Sequence, residues 1–496
     1  MDRLNRELAV AGQLLSSNVD YLSLPEKVLQ FGEGNFLRGF VDWMIHELNK
    51  NQVFNGRIVA VQPTPHGKVV PKLNAQDGLY TVALRGIQNG EVVDTREVVS
   101  SISRGINPYA DWGKVLDAAA DPNIEVVVSN TTESGLKYMQ ENFYADQSPV
   151  SFPAKLTACM FHRFQVCNGN PSMGWFIIPC ELVEDNGDVL RDLVLAIAED
   201  WKLPGRFKEW VVDHNFFCNT LVDRIVTGFP RNNPETFQEE LGYEDELLTA
   251  GEPYHLFVLD GNDGIQEKLP FHKVGLHVHW GDVTPFRELK VKILNGAHTL
   301  ICPAGFLSGK ETVQEVMSDP NFEAFVKKGM YEEILPVLQF ADGTKNEFAA
   351  SVLDRFRNPF NPHHLLDISL NSIAKFKTRL LPTLVQYVEK FADIPAAIAY
   401  SLASLIYFYK SVRAEDGQFT GNCIQGEYLI RDNKEVQQFF YDTWNDSENM
   451  IVLVDKVLSN ETLWDMDLLA IPGLKEAVLS HLEHIANGGI DIAAVL

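Results

Sequence analysis

The sequence predicts a doubly wound α/β domain followed by a mostly α-helical one, and three observations carry that reading. Short apolar, β-branched runs alternate with helical patterns through the first half of the chain. A glycine-rich turn directly follows the first of those runs. From about Pro285 onward the strand signals fade and helical periodicity dominates. At 496 residues the chain exceeds what one hydrophobic core organises, so two domains are expected.

Residues 27–31 (KVLQF) read as a buried strand, 35–49 as the helix after it, and 57–61 (RIVAV) as a second strand. Residues 125–129 and 175–179 read as further strands, and 255–259 and 275–280 as later ones. Strand, helix, strand at this spacing argues for parallel βαβ units. The polar, acidic segment 228–253 reads as an excursion or loop within the first domain. Helices are expected at 312–317, 331–340, 372–380, 395–409 and 433–457. The boundary falls near 282–285, giving a dinucleotide-binding domain at 1–283 and an α-helical substrate and catalytic domain at 284–496.

Charge and cysteine usage narrow the class. Lys plus Arg number 42 and Asp plus Glu 67, a net charge of −25 that repels phosphate backbones and argues against nucleic acid as a partner. An anionic small substrate would then need a local cluster of Arg or Lys. The N-terminus, MDRLNRELAV, lacks the apolar core of a secretory signal. The uncharged, apolar stretch 396–409 is too short to span a bilayer and reads as a buried helix. Six scattered cysteines without CxxC spacing point to a reducing, cytoplasmic setting. Oligomeric state, monomer or small homo-oligomer, is not encoded in any of these features.

At the end of the first strand stands Gly32-Glu33-Gly34-Asn35-Phe36-Leu37-Arg38. Two glycines two apart let backbone N–H groups approach a diphosphate, with a helix N-terminus behind them, as in Rossmann-like folds. The third glycine position is Leu37, and an ordinary strand-to-helix turn reads the same way. The second strand ends at Gln62-Pro63, with no Asp or Glu for the ribose and no Arg pair for a 2′-phosphate; Lys68 lies nearby. Asn130, after a central strand, stands where a doubly wound sheet binds its ligand, and Thr131 or Thr132 there is equally a helix cap.

The richest stretch is 286–299, which contains Lys290, Asn295 and His298. At 100° per residue an α-helix places the three within a sector roughly 140° wide, with Leu289, Ile293 and Leu300 on an apolar side. Lys292 falls about 200° from Lys290, outside that sector. A desolvated lysine exchanges protons near neutrality, and an amide with an imidazole stabilises an oxygen gaining negative charge. An amphipathic helix with solvated polar residues fits the same spacing. His277 and His279, with His272 near, are a candidate zinc pair, since alternate strand residues share a face.

Lys-x4-Asn-x2-His resembles the catalytic signature of the mannitol dehydrogenase family, the polyol-specific long-chain dehydrogenases. The run Gly32–Arg38 is similar to that family's cofactor motif, and so are Asp77-Gly78-Leu79-Tyr80, Asn130-Thr131-Thr132-Glu133, Asn219-x3-Asp223-Arg224 and Arg355-Phe356-x-Asn358-Pro359. The resemblance runs from about residue 27 to 380 and implies NAD-dependent, metal-independent hydride transfer with a sugar acid as substrate. It places Gly32, Gly34, Asn35, Phe36, Arg38 and Asn130 with the cofactor and Asn219 and Asp223 with the substrate. Lys290 would carry the proton, with Asn295 and His298 beside the carbonyl. The chain departs from the family pattern at Cys180-Glu181-Leu182 and at Leu37, which points away from a neutral polyol. Arg355 and Lys375 are the candidate partners of a substrate carboxylate, since Arg grips carboxylates bidentately, and a surface or inter-helix salt bridge fits each of them as well. A mannitol, arabinitol or fructuronate dehydrogenase is the enzymatic alternative, and a dinucleotide-binding sensor the non-enzymatic one.

Overall fold

The computed structural model describes residues 1–15, 20–131, 133–229, 234–413 and 417–496. The chain divides into two compact units: Met1–Arg85 with Val92–Phe286, and Gly86–Glu91 with Arg287–Leu496. Apart from the tip of the β3–β4 hairpin, which is counted with the second, the first unit holds the strands β1 (Glu26–Phe31), β2 (Arg57–Val61), β3 (Tyr80–Gln88), β4 (Glu91–Val99), β5 (Ile102–Ile106), β6 (Val126–Ser129), β7 (Phe176–Pro179) and β8 (Phe216–Phe217). They are followed by β9 (Thr220–Asp223), β10 (Val226–Gly228), β11 (Thr249–Gly251), β12 (Leu256–Leu259) and β13 (Val278–Trp280).

Six of these form one sheet in the order β5-β2-β1-β6-β7-β8, every pair parallel. Read by position within that sheet, the order is 3-2-1-4-5-6, the doubly wound arrangement of dinucleotide-binding domains. Successive residues serve opposite faces: Val28, Ile58, Val126 and Ile178 enter one core, and Leu29, Val59, Val127 and Ile177 the other. Burial on both faces is why these strands are nearly unbroken runs of Val and Ile. The order reverses between β2-β1 and β6-β7, so the crevice beyond β1 and β6 is where such a sheet binds ligands.

Several expected elements take a different form. The single helix expected at 35–49 breaks into Asn35–Arg38 and Val41–Lys50. The break is at Gly39, where a Cβ would press at 3.0–3.2 Å on the side chains of Val226 and Thr249. The segment 228–253 is not simply a loop: it carries the helix Pro234–Leu241, and β10 and β11 join β3 and β4 in a four-stranded sheet. The β3–β4 hairpin turns at Asn89 and Gly90, both with positive φ, the two-residue turn that Asn-Gly favours.

In the second unit the helix Ala396–Phe408 is buried on nearly all sides, packed against Gly296–Leu307 and Leu474–Gly488. Among the described residues no helix is long and apolar enough to cross a membrane. Residues 331–340 are not one α-helix but the end of a π-helical turn, Lys328–Ile334, and a 3-10 turn, Leu335–Val337. Residues 433–457 form two helices, Lys434–Asp446 and Met450–Leu458, the second capped by Asn449. Strands do not vanish from this half: β14 (Ser411–Arg413), β15 (Phe419–Cys423) and β16 (Gly426–Leu429) make an antiparallel sheet.

One buried carboxylate locks this helical packing. Glu333 accepts hydrogen bonds from Ala397 N (2.8 Å) and Ile398 N (2.9 Å), donors at the start of Ala396–Phe408 that the helix itself cannot satisfy. Glu333→Ala leaves both N–H groups buried and unpaired, so urea denaturation should show a loss of about 2–4 kcal/mol.

Candidate active site

In the first unit the chain leaves β1 and turns at Gly32, with φ +117°. A Cβ there would lie 2.7 Å from the Asn130 carbonyl oxygen, so glycine lets the loop after β1 close on the loop after β6. Gly34 is exposed, and a Cβ there would meet nothing within 4 Å, so the space over this backbone is open. With the unpaired first-turn N–H groups of Asn35 and Phe36 behind it, that open backbone fits a dinucleotide diphosphate. The packing task of a third glycine falls to Gly39 rather than to position 37.

Arg38 has a different task from the one expected of it. It is 3% exposed and donates to Glu33 O, to Asn35 Oδ1 (2.6 Å) and to Thr249 Oγ1 (3.2 Å). The guanidinium therefore braces the loop from beneath instead of meeting a ligand. Asn35 is seated in space that Gly228, with φ +78°, leaves open. Phe36 is half-buried and stacks on Phe40 at 5.0 Å. Asn130 Nδ2 donates to Cys180 O (2.6 Å), and Glu181 accepts from Ser129 Oγ, Thr131 N and Thr131 Oγ1, each at 3.0 Å. Glu181, which in the sequence only marked a departure, thus shapes the loop that holds Asn130; Thr132 lies outside the described residues. Gln62 is fully buried with Nε2 donating to Thr64 O (2.6 Å), so β2 ends without a carboxylate.

Asn219, expected at the substrate, is spent as a helix cap. Its Oδ1 accepts from Gly187 N (3.0 Å) and Asp188 N (3.1 Å), and its Nδ2 donates to Asp188 Oδ2 (2.9 Å). Asp223 is buried at the end of β9, and its neighbour Arg224 donates to Glu252 O and Gly39 O. The histidine pair is tied to backbone: His277 Nδ1 lies 3.1 Å from His255 O, and His277 N donates to His255 Nε2 (2.9 Å). His279 packs on Phe286 at 4.6 Å. Among the described residues no group of three or more His, Cys, Asp or Glu is placed to hold a metal ion.

In the second unit Lys290, Asn295 and His298 come from one helical path, and that path is not a plain α-helix. Thr284–Leu289 is α, Lys290–Asn295 is π, and Gly296–Leu307 is α again. Closure from i to i+5 turns each residue by less than 100°, so Lys290 and Asn295, five apart, stand closer to alignment than the roughly 140° of an α-helix. Lys290, Asn295 and His298 are all half-buried. Lys292 is the more buried lysine, and burial pulls its pKa down while Glu288 partly opposes. Asn295 and His298 make no side-chain hydrogen bond with the described residues.

His298 sits among rings and cations. Its ring lies 4.4 Å from Phe356 and 4.8 Å, edge-on, from His363. Burial first, then the charges of His363, Arg355, Arg379 and Lys375, hold its pKa well below the ordinary range, so the imidazole is neutral. Arg355 and Lys375 are thus gathered at His298, and Arg379 joins them. Pro303 removes the N–H that would have reached Thr299 O, and Ser401 Oγ supplies a donor at 3.4 Å.

The glycine loop carries its own pH signature. Burial pushes the Glu33 carboxyl up to about 7, with a backbone hydrogen bond and Arg38 partly opposing. A folded pKa raised above the ordinary value means that stability is full below about 4.5 and falls as pH rises toward 7. Glu33→Gln should therefore be more stable than the natural chain at pH 8, by on the order of 3 kcal/mol at most, with the difference closing toward pH 4.5 in parallel urea titrations.

Comparison with known proteins places this geometry. The mannitol dehydrogenase Rossmann domain model matches residues 26–273, and the mannitol dehydrogenase C-terminal domain model matches residues 282–486. The chain is 47% identical to an altronate oxidoreductase of Halalkalibacterium halodurans, over 99% of this chain and 96% of that one. It is 41% identical to an altronate oxidoreductase of Bacillus subtilis, over 97% of each. Among solved structures it resembles a substrate-free D-sorbitol dehydrogenase (TM-score 0.80, 21% identity, 100% of both chains). It also resembles Pseudomonas fluorescens mannitol 2-dehydrogenase in a ternary complex with NAD and D-mannitol (TM-score 0.65, 20% identity, 99% and 98% of the chains). With both domain models matched in order and full-length relatives above 40% identity, the chain belongs to the mannitol dehydrogenase family.

Proposed function

We propose that this protein is an altronate oxidoreductase that interconverts D-altronate and D-tagaturonate with NAD, residues 1–283 holding the cofactor and 284–496 supplying the chemistry. The observation that carries the reading is the gathering of Arg355, Lys375 and Arg379 around a neutral His298, against a net charge of −25. Such a cluster suits an anionic sugar and has no use for a neutral one. The names of the full-length relatives agree with it.

Gly32, Gly34, Asn35, Phe36 and Asn130 would hold the cofactor, because the closed turn at Gly32 and the open backbone at Gly34 fit a diphosphate. NAD supplies the acceptor for the hydride leaving the carbinol carbon. Lys290 in its neutral form takes the hydroxyl proton during oxidation and returns it during reduction. Asn295 and neutral His298 donate to the same oxygen as its charge grows, from positions fixed by one rigid helix. Arg355 and Lys375 face the carboxylate end.

The test follows NADH absorbance with D-altronate and D-mannitol as separate substrates. Altronate should be turned over far faster, and Lys290→Ala should lose about 1,000-fold in kcat, with Lys292→Ala losing less than about 10-fold. Faster turnover of mannitol would move the substrate; full activity in Lys290→Ala would remove the lysine mechanism.

A further inference from the structure

Two cations near His298 lack the partners that cations in such positions normally have. Lys375 and Arg379 lie four apart on the helix Ser372–Arg379, hence on one face, and that helix packs against Lys290–Asn295 and Gly296–Leu307. Both are half-buried. Lys375 Nζ donates to Ile368 O (2.7 Å), and Arg379 Nη1 to Thr299 Oγ1 (3.3 Å). Neither makes an ion pair with a carboxylate of the described residues.

The acids nearby are already engaged. Asp432 accepts from the Tyr409 hydroxyl, and Asp367 pairs with Arg431 at 3.1 Å. The group left to face Arg379 is Cys302, whose thiol burial pushes up to about 12. It is a neutral thiol at working pH and offers no counter-charge. Two desolvated cations without a counter-ion are costly to keep folded, and the cost is recovered when an anion arrives. Arg379 is also tied into the helix that carries the chemistry: Thr299 Oγ1, its acceptor, itself donates to Asn295 O (2.9 Å).

We propose that Lys375 and Arg379 together grip the substrate carboxylate, and that Arg379 is the residue that sets preference for a sugar acid over the corresponding neutral polyol. The proposal deepens the altronate reading and rests on it. Arg379 offers a planar fork to the two carboxylate oxygens, and Lys375 a point charge one turn away.

The test measures D-altronate binding to the NADH-loaded protein by calorimetry, and kcat/KM for D-altronate and for D-altritol, in which a hydroxymethyl group replaces the carboxylate. Arg379→Gln should weaken altronate binding about 100-fold and lower the acid-to-neutral ratio of kcat/KM by a similar factor, with Arg379→Lys recovering part of both. Thr299→Val, which removes the tether and keeps the guanidinium, should change the ratio far less. An equal loss on both substrates, or a Thr299→Val variant that reproduces the Arg379→Gln effect, would assign Arg379 a bracing role and overturn the proposal. A natural chain that binds altronate without oxidising it, with binding still lost in Arg379→Gln, would keep the grip and remove the altronate reaction. A natural chain that does not bind altronate would remove both.

Discussion

A single helical path from Thr284 to Leu307 carries Lys290, Asn295 and His298, and the π turn in its middle decides where they point. A π turn is less favourable than the α-helix it interrupts and is retained where the altered phase is useful. Here the altered phase brings two residues five apart toward one side, which no regular α-helix does. The surrounding packing holds that phase. Leu289, Ile293 and Leu300 are anchored in the core, Ser401 meets the carbonyl that Pro303 leaves open, and Glu333 fixes the neighbouring helix Ala396–Phe408. The polar residues are thus presented by an element whose apolar side cannot rotate.

The two units solve opposite electrostatic tasks. In the first, the backbone at Gly34 is left open, and Arg38 and Glu181 are engaged in shaping the loops around it. In the second, Arg355, Lys375 and Arg379 lie around His298, and burial first, then the neighbouring charges, keep the imidazole neutral and a hydrogen-bond donor. In the proposed reaction such a neutral donor would stabilise negative charge growing on the oxygen without giving up the proton assigned to Lys290.

Much of the fold was legible because it follows from burial. Strands covered on both faces must be apolar throughout, and KVLQF, RIVAV and EVVVS announce themselves in that way. The β3–β4 hairpin escaped because β4 is largely exposed and carries Glu91, Asp94 and Arg96; Asn89-Gly90 was the signal that would have found it. The short strands after Ser411 offer three to five residues each, too few for periodicity to speak. At the site, residue types were readable and commitments were not. Lys290, Asn295 and His298 stood out by chemistry, yet steps of 100° placed Asn295 wrongly because one π turn changes the count. Arg38 and Asn219 read as ligand-facing, and only their backbone and side-chain partners reveal a brace and a cap. Arg379 looks in sequence like any solvated cation beside Lys377; its half-burial and its Thr299 contact are products of tertiary packing.

The π turn, rather than the identities of Lys290, Asn295 and His298 alone, sets how the three side chains are presented. Deleting Val291 shortens the segment by the one residue that separates i→i+5 from i→i+4 closure, while Lys290, Asn295 and His298 all remain. Single-turnover oxidation of D-altronate by this variant, with circular dichroism and NADH binding as checks on folding, measures what the π turn contributes. The expected result is a folded protein that binds NADH and whose chemical step has slowed by at least about 100-fold. A folded deletion variant that oxidises altronate at the natural rate would show that the π turn is not needed.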